Sequence, residues 1–397
     1  MNPIINYFTI PFLLVLGSIV EAAIPEKHVI DITKYGGKAG QTSNINQALL
    51  NAWKEACGSP SYSEILIPNG NYLLGEIDLA GPCKAPIVLV IKGNLKAPSS
   101  LEAHTGDYWI RVGHVNNLTI TGGGTLNGDG SRAWKQNICQ KDPNCKNLPI
   151  TLRLDYVENG IVENIKSVDS KNFHFNLLEC RNITIRRVII QAPAMSPNTD
   201  GIHMGRCEGI NIESTKIGTG DDCISIGDGS SRIKIVDVSC GPGHGISIGS
   251  LGKYKNEEPV TRVLFKRCVI NNADNGVRIK TWPGMYKSIA SDMVFEDITM
   301  NNVSNPIFID QMYCPSNHCN KQTQSNVKLS KISFRNIRGT SFTPKAIQLI
   351  CSKQYPCEEV DLGGINLQYV GKAPGRAIAE CVNIKPKFTG SVIPAGC

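Results

Sequence analysis

The sequence lacks the patterns by which proteins commonly bind zinc or nucleic acids. No two of its 15 cysteines are spaced as Cys-x-x-Cys, so a structural zinc site is not expected. Aromatic residues make up 6% of the chain, and no run of basic residues has aromatics interleaved with its charges. Because such basic surfaces are the signature of nucleic-acid binding, we do not expect a nucleic-acid partner.

Apolar runs suited to crossing a membrane are also missing beyond the N-terminus. Residues 4–20 are mostly apolar, but the run is short, is interrupted by Pro11 and lies at the very start of the chain. No Lys or Arg precedes it, which departs from the usual secretory pattern. Val20-Glu21-Ala22 nevertheless offers small residues for signal peptidase. We therefore predict a signal peptide over residues 1–22, a secreted protein and no membrane anchor.

Fifteen cysteines in a secreted chain predict a disulfide framework with at least one unpaired thiol. A bond between Cys223 and Cys240 would hold together two parts of the candidate site described below. Asn117, Asn182 and Asn302 lie in N-glycosylation sequons, which fits secretion. The candidate disulfides are Cys57–Cys83, Cys139–Cys145, Cys223–Cys240, Cys314–Cys319, Cys351–Cys357 and Cys381–Cys397, which leaves Cys180, Cys207 and Cys268 unassigned.

The chain is moderately basic. Its 41 Lys and Arg face 34 Asp and Glu, and cleavage after residue 22 would remove only Glu21, which gives 41 − 33 = +8. Such a charge suits an acidic partner, for example an anionic polysaccharide, although solubility alone explains it equally well.

A six-residue strand pattern repeats through the middle of the chain. This first series of strands, listed below, alternates along the chain with a second series of short strands that runs from Asn182–Ile185 to Asp292–Phe295. Two strand rows that advance together predict a solenoid with parallel sheets, an all-β right-handed parallel β-helix. The first series is Asp200–Gly205, Asp222–Gly227, His244–Gly249, Asn275–Lys280 and Asn305–Asp310, with steps of 22, 22, 31 and 30 residues.

The solenoid also predicts the domain organisation. A solenoid extends its core lengthwise, so we expect one catalytic domain over residues 23–397 rather than two globular domains. Near its start, Thr42 or Ser43 can cap a helix, and such a helix would cover the exposed end of the core. The apolar face of this N-terminal capping helix would consist of Ile45, Ala48, Leu49, Ala52 and Trp53.

Alternation along the strands assigns side chains to the two faces. His203, Ser225, Ser247 and Arg278 form a column that points outward, with Lys280 beside it. We interpret His203 as a partly exposed strand residue without a special role.

Asp200, Asp221, Asp222 and His244 lie at the bends that precede successive strands. Strict alternation would turn all of them except Asp221 inward. Because burial of unpaired charge is costly, we expect the bends to turn them toward solvent.

Three carboxylates about 5 Å apart repel by on the order of 3 kcal/mol per pair at an effective dielectric constant near 20. One of them should therefore keep its proton while the others ionise. A carboxylic acid beside carboxylates is what glycoside hydrolysis requires. Arg278 and Lys280 would bind the carboxylate of a sugar-acid polymer. Two alternatives stay open at this point: the aspartates shape turns only, or they bind calcium.

Four short motifs give the chain a family resemblance. Asn198-Thr-Asp200, Gly220-Asp-Asp222, Gly243-His-Gly245 and Arg278-Ile-Lys280 stand in the order of the four motifs of the polygalacturonases, pectin-hydrolysing β-helix glycosidases. The resemblance runs from about residue 30 to the C-terminus. Longer strings are similar to the plant pollen-type branch, which is regarded as exopolygalacturonase: Ser196–Met204, Gly241–Ser250, Ile307–Pro315 and Trp134–Pro149.

The resemblance implies a role for each site residue. Asp221 matches the general acid, and Asp200 and Asp222 match the pair that positions and deprotonates the attacking water. His244 matches a residue that supports the acid or orients substrate. Arg278 and Lys280 match binders of the galacturonate carboxylate, and Asn198 matches a supporting residue. The family needs no metal or cofactor.

The resemblance implies hydrolysis of α-1,4-linked polygalacturonic acid in the plant cell wall, with inversion, by a monomer that acts from the non-reducing end. The loop around Cys139 and Cys145 would explain exo action if it closes one end of the groove. Three alternatives remain: an endo-acting polygalacturonase, a calcium-dependent pectate-lyase-type enzyme and a non-catalytic wall-binding β-helix.

Overall fold

A computed structural model describes residues 28–397 except 138–144, 146, 285, 316–318 and 321. The predicted signal peptide, Cys139 and most of the loop around it lie outside the described residues. Among the described residues, no helix is long and apolar enough to cross a membrane.

Strands dominate the described residues, and helices are few. The α-helices are α1 (Asn46–Gly58) and α2 (Ser131–Gln136), and 3-10 turns span Ile32–Tyr35 and Leu101–Ala103. The first strands are β1 (His28–Asp31), β2 (Gly40–Asn44), β3 (Ser63–Ile67), β4 (Asn71–Leu73), β5 (Ile77–Ala80), β6 (Ile87–Ile91), β7 (Asn94–Lys96), β8 (Tyr108–Gly113), β9 (Leu118–Thr121), β10 (Thr125–Asn127), β11 (Ile150–Asp155), β12 (Glu158–Glu163), β13 (Lys166–Val168), β14 (Phe175–Leu178), β15 (Arg181–Arg186) and β16 (Ile189–Gln191).

The later strands carry the repeat that the sequence predicted. They are β17 (Ile202–Gly205), β18 (Glu208–Glu213), β19 (Lys216–Gly218), β20 (Ile224–Ile226), β21 (Ser231–Val236), β22 (Ser239–Cys240), β23 (Ile246–Leu251), β24 (Val260–Lys266), β25 (Val269–Asn271), β26 (Asn275–Thr281), β27 (Lys287–Val303), β28 (Asn305–Asp310), β29 (Asn326–Ser341), β30 (Lys345–Ile350), β31 (Glu358–Tyr369), β32 (Ile378–Val382) and β33 (Lys387–Ile393).

The strands stack in parallel, coil upon coil, which confirms the right-handed parallel β-helix. One sheet, here called the site sheet, contains β5, β8, β11, β14, β17, β20, β23, β26, β28, β30 and β32. The remaining strands form the other faces of the solenoid, and the long strands β27, β29 and β31 bend from one face to the next. The register is as predicted: Ile202 pairs with Ile224, and Ile224 pairs with Ile246.

The core is a column of apolar side chains inside the coils. One cluster of buried residues extends from Ile30 in the first coil to Leu367 near the last. Within it, Phe265, Phe295 and Phe334 stand in register in three successive coils. Their rings stack with centroids 5.1 and 5.0 Å apart. The sheet register therefore sets the packing of the core, because each apolar residue meets its own equivalent.

The capping helix α1 covers the N-terminal end of this core, as predicted. Its start differs from the prediction, because Thr42 and Ser43 belong to β2 and the cap position is Ile45. The side chain of Asn44 accepts a hydrogen bond from the backbone N–H of Asn46 at 2.8 Å, so an asparagine serves the first turn. The apolar face is the predicted one, with Ile45, Ala48, Leu49, Ala52 and Trp53 buried.

The described cysteines pair largely as their spacing suggested. The disulfides are Cys57–Cys83, Cys223–Cys240, Cys314–Cys319, Cys351–Cys357 and Cys381–Cys397. Cys180, Cys207 and Cys268 are buried thiols. The sequon asparagines Asn117, Asn182 and Asn302 are exposed, and their glycosylation stays a prediction.

The stacked rings generate a stability prediction. Phe295→Ala should lower the free energy of unfolding by about 3–5 kcal/mol, because the cavity would lie between two other rings. Thermal unfolding followed by circular dichroism measures this as a lower Tm. Ile289→Ala on the same strand is the matched control, because Ile289 is exposed and should change stability by less than about 0.5 kcal/mol. Equal losses in the two variants would contradict the proposed role of the stack.

Candidate active site

The site sheet carries a continuous outward column of side chains. His203 pairs with Ser225, Ser225 with Ser247, and Ser247 with Arg278, so the predicted column is present. Each strand is preceded by a bend, and these bends bring Asp200, Asp221, Asp222 and His244 together at the edge of the column. Parallel stacking therefore gathers side chains that lie more than forty residues apart in the sequence.

Asp222 is the most strongly held carboxylate of the site. It is 1% exposed, and its Oδ2 accepts a hydrogen bond from Lys280 Nζ at 2.6 Å. Its Oδ1 accepts hydrogen bonds from Arg278 Nη2 at 3.1 Å and from Ser247 Oγ at 2.9 Å. Burial by itself raises the pKa of Asp222, but the two cations and these hydrogen bonds outweigh it and lower that pKa. Asp222 is therefore ionised.

Asp200 has the opposite electrostatic environment. It is 7% exposed, and Ser225 Oγ donates a hydrogen bond to its Oδ2 at 2.8 Å. Burial, and then the neighbouring charges of Asp221 and Asp222, raise the pKa of Asp200 well above its usual value. The direction of this pKa shift agrees with the prediction that one carboxyl of the cluster keeps its proton, and it makes Asp200 the candidate for that carboxyl.

The solvent exposure predicted for Asp200 and Asp222 was wrong. Both side chains lie on the outer side of the sheet, since they bond to outward serines of the column, yet both are buried. The expectation assumed that no partners were available. Lys280 and Arg278 supply those partners and cover Asp222 at the same time.

Asp221 and His244 form a second pair. His244 Nδ1 lies 2.8 Å from Asp221 Oδ1, and its Nε2 lies 3.5 Å from a carboxylate oxygen of the exposed Asp274. The hydrogen bond to Asp221 is the main cause that raises the pKa of His244. Protonated His244 would therefore be held between two carboxylates.

His203 is more closely connected to the site than the sequence indicated. It is partly exposed, as expected, but its Nδ1 lies 2.7 Å from Ser225 Oγ. Burial lowers the pKa of His203 to about 4, so the ring is neutral near pH 7. The Ser225 hydroxyl has a single proton, which it donates to Asp200. In the hydrogen bond between Ser225 and His203, the donor must therefore be the protonated Nδ1 of His203. His203 thereby orients the serine that holds Asp200.

Arg278, Lys280 and Tyr313 form the wall of the site on the side of the later coils. The guanidinium of Arg278 lies 5.7 Å and the ammonium of Lys280 lies 5.3 Å from the centroid of the Tyr313 ring. Both cations already pair with Asp222. Their first effect is to keep that carboxylate charged, and any substrate carboxylate would share them with it.

Asn198 lies on the side of the earlier coils, away from Asp222. Its side chain is exposed and lines a pocket of about 360 Å³. Neighbours in this pocket include Asn172, Phe173 and Asn176 on the bend and strand of the preceding coil, together with Arg153 one coil earlier.

The outward column extends into earlier coils, which was not predicted from the sequence. Arg111 pairs with Arg153, Arg153 with Asn176, and Asn176 with His203, so the column continues four coils back from Ser225. The strand pattern before residue 200 holds the signal, because Arg111 and Arg153 stand between apolar residues at the same strand position. The buried Asp155 accepts hydrogen bonds from both arginines and orients them.

Comparison of the sequence with protein families identifies the family to which the chain belongs. The model of the family described as Glycosyl hydrolases family 28 matches residues 57–392. The chain belongs to that family.

Relatives within family 28 cover most of the chain. It is 54% identical to "Exopolygalacturonase" of Oenothera organensis over 352 residues, which covers 88% of this chain and 97% of that one. It is 48% identical to "Polygalacturonase" of Gossypium barbadense over 397 residues, covering 100% of this chain and 97% of that one. The crystal structure of an exopolygalacturonase from Thermotoga maritima shares the fold, with a TM-score of 0.75, 18% identity and coverage of 91% and 90%.

The family 28 site also contains a group of possible metal ligands. Single ligand atoms of Asp221, Asp222 and His244 all lie within 4.8 Å of one another. Calcium prefers six to eight oxygen ligands. Here the oxygens of Asp222 already accept hydrogen bonds from an ammonium and a guanidinium, which would repel a cation. The geometry fits a charge-balanced carboxylate site better than a calcium site.

The raised pKa of Asp200 generates a prediction about stability and pH. The stability contributed by protonated Asp200 is complete below the usual pKa of an aspartate, about 4, and is lost as the pH rises toward the raised value. Asp200→Asn cannot ionise, so its Tm relative to the wild type should increase between pH 4 and pH 7. Thermal unfolding across this range measures the difference. Asp292→Asn, at an exposed position of β27 on another face, is the control, and a pH-independent difference for Asp200→Asn would contradict the assignment.

Proposed function

We propose that this chain is a secreted polygalacturonase that hydrolyses the α-1,4-galacturonosyl bonds of polygalacturonate. The single observation that carries the proposal is the carboxylate cluster of a family 28 chain, in which the ionised Asp222 is held by Lys280 and Arg278 beside Asp200 and Asp221. Carboxyl groups that can serve as general acid and as general base lie next to each other, and the adjoining cations suit an anionic sugar polymer.

The proposed reaction moves two protons and exchanges one bond. The resemblance assigns the acid role to Asp221, so in the proposed reactive state the proton held by the carboxyl cluster lies on Asp221 rather than on Asp200. Asp221 donates this proton to the glycosidic oxygen as the bond from that oxygen to the anomeric carbon breaks. Asp222 accepts a proton from the water whose oxygen forms the new bond to that carbon. Asp200 hydrogen-bonds the same water, and the His244 ring supports Asp221 through the 2.8 Å contact. Exchange with solvent then returns Asp221 and Asp222 to their starting states.

We propose exo action from the non-reducing end. The pocket beside Asn198 has a volume of about 360 Å³, and it would take the terminal galacturonate while the scissile bond lies over Asp221 and Asp222. The relative from Oenothera organensis, 54% identical to this chain, is named exopolygalacturonase, which supports this choice over endo action.

We also propose that residues 1–22 are a signal peptide and that residues 23–397 act as one catalytic domain in the plant cell wall. The disulfides and the exposed sequons Asn117, Asn182 and Asn302 support secretion. Action as a monomer stays a prediction of the family resemblance.

The direct test of the function replaces the proposed acid. Asp221→Asn should lower kcat on polygalacturonate by about 10²- to 10⁴-fold, because amide nitrogen cannot protonate the leaving oxygen. Reducing-sugar release measures activity, circular dichroism confirms the fold, and Asp292→Asn is the control with the same chemical change at an exposed position. Full activity of Asp221→Asn would support a non-catalytic or differently catalysed function. Chelator-sensitive formation of ultraviolet-absorbing unsaturated ends would support the lyase-type alternative.

The stereochemical outcome is a second test. An oxygen of Asp221 and an oxygen of Asp222 lie within 4.8 Å, closer than the roughly 6.5–9.5 Å usual for the two carboxyls of inverting glycosidases. We nevertheless expect inversion, because Asp200 and Asp222 together can hold the water. Proton NMR during the first turnovers should therefore show β-galacturonate before mutarotation. Initial release of the α anomer would instead indicate a covalent intermediate and a nucleophilic aspartate.

A further inference from the structure

We propose that the loop of residues 252–257, together with Trp282, forms a second binding subsite for the uronate units of the departing polymer chain. The proposal rests on the proposed function and extends it to the part of the substrate that lies beyond the reacting sugar. Its central group is the exposed ammonium of Lys253, which stands at the rim of the site on the side of Arg278 and Lys280.

Lys253 differs from the cations inside the site in its partners. Arg278 and Lys280 are both engaged by Asp222. The contacts of Lys253 Nζ among the described residues are with aromatic rings: its distance to the ring centroids of Tyr254 and of Trp282 is 5.2 Å in each case. An ammonium that lies near aromatic rings rather than against a carboxylate has no neutralising partner there, so it can pair with an anion.

The loop is built to present this side chain. The carboxylate of Glu257 accepts hydrogen bonds from three successive backbone N–H groups, those of Gly252, Lys253 and Tyr254. Gly252 has a φ of +82°, which turns the chain sharply at the point where β23 ends. Because one carboxylate accepts hydrogen bonds from three consecutive N–H groups, the backbone of the loop is held in one conformation. Lys253 and Tyr254 therefore extend outward from an ordered segment. Tyr254 is 62% exposed.

The aromatic groups connect the loop to the catalytic side chains. The ring of Trp282 meets that of Tyr313 edge to face, with centroids 5.4 Å apart. Tyr313 in turn lies against Arg278 and Lys280. A continuous strip of rings and cations therefore leads from the partners of Asp222 to the exposed Lys253. Sugar rings pack against aromatic faces, while the ammonium pairs with the sugar carboxylate.

The path of the substrate follows from the two ends of the site. The pocket beside Asn198 belongs to the coils that precede the carboxylate cluster, whereas Trp282 and Tyr313 belong to coils that follow it. If the terminal sugar occupies the pocket, the rest of the polymer must leave over the later coils. Trp282 lies two coils beyond Asp222, about 10 Å along the solenoid axis at the usual strand spacing, and at the opposite end of its strand. Only chains longer than the shortest substrate should therefore reach it.

The test compares a long and a short substrate in the full-length secreted protein. Lys253→Glu should lower the ratio of kcat/KM for polygalacturonate to kcat/KM for digalacturonate by about fivefold, because an exposed ion pair is replaced by repulsion. The loss should appear mainly in KM and should diminish at high salt, where exposed charges are screened. Lys253→Gln should give a smaller change in the same direction. Lys234→Glu, an exposed strand residue on another face, is the matched control and should leave the ratio unchanged.

Binding separates this proposal from the proposed function. Titration of the Asp221→Asn protein with hexagalacturonate, with and without Lys253→Glu, measures the subsite without turnover. A weaker Kd with Lys253→Glu supports the subsite even if hydrolysis were absent. An unchanged Kd and substrate ratio would overturn the proposal while leaving the hydrolase intact. Equal losses on both substrates would also overturn it, because Lys253 would then act on the site as a whole.

Discussion

Parallel stacking of coils is the constraint on which the site depends. Equivalent residues of neighbouring coils lie one strand spacing apart, about 4.8 Å, and the register allows no other arrangement of the buried isoleucines. Any charged residue that recurs at one strand position is therefore forced against its equivalents. Packing of the core fixes the register, and the register places the aspartates close together. No attraction between the aspartates themselves is needed.

The chain balances this enforced repulsion in two different ways. Asp222 retains its charge because Lys280 and Arg278, both from β26 two coils later, approach its two oxygens. Asp200 accepts a hydrogen bond from Ser225, which also bonds to His203, and burial together with the neighbouring Asp221 and Asp222 raises the pKa of Asp200. One geometric repeat thus yields two carboxyl groups whose pKa values are shifted in opposite directions. The resemblance assigns the acid role to Asp221, which lies outside this pair and contacts His244.

Much of the fold and of the candidate site could be predicted because both follow the periodicity of the strands. Ile202 and Ile224 reveal the coil, and Asp222, His244, Arg278 and Lys280 occupy positions that the repeat brings together. The burial of Asp200 and Asp222 could not be predicted, because it depends on the conformation of a bend rather than on alternation. The pocket beside Asn198 and the contacts of Lys253 with Trp282 escaped prediction for the same reason, since loops follow no period.

The disulfide Cys223–Cys240 has a consequence for how the molecule comes apart. It begins next to Asp222, encloses β20, β21 and β22, and ends shortly before the bend that carries His244. One turn of the solenoid is therefore a covalent ring. Solenoids can lose coils one after another from their ends, since each coil contacts only its neighbours. Fraying from either terminus would halt at this ring, so the catalytic coil should be among the last parts of the protein to unwind.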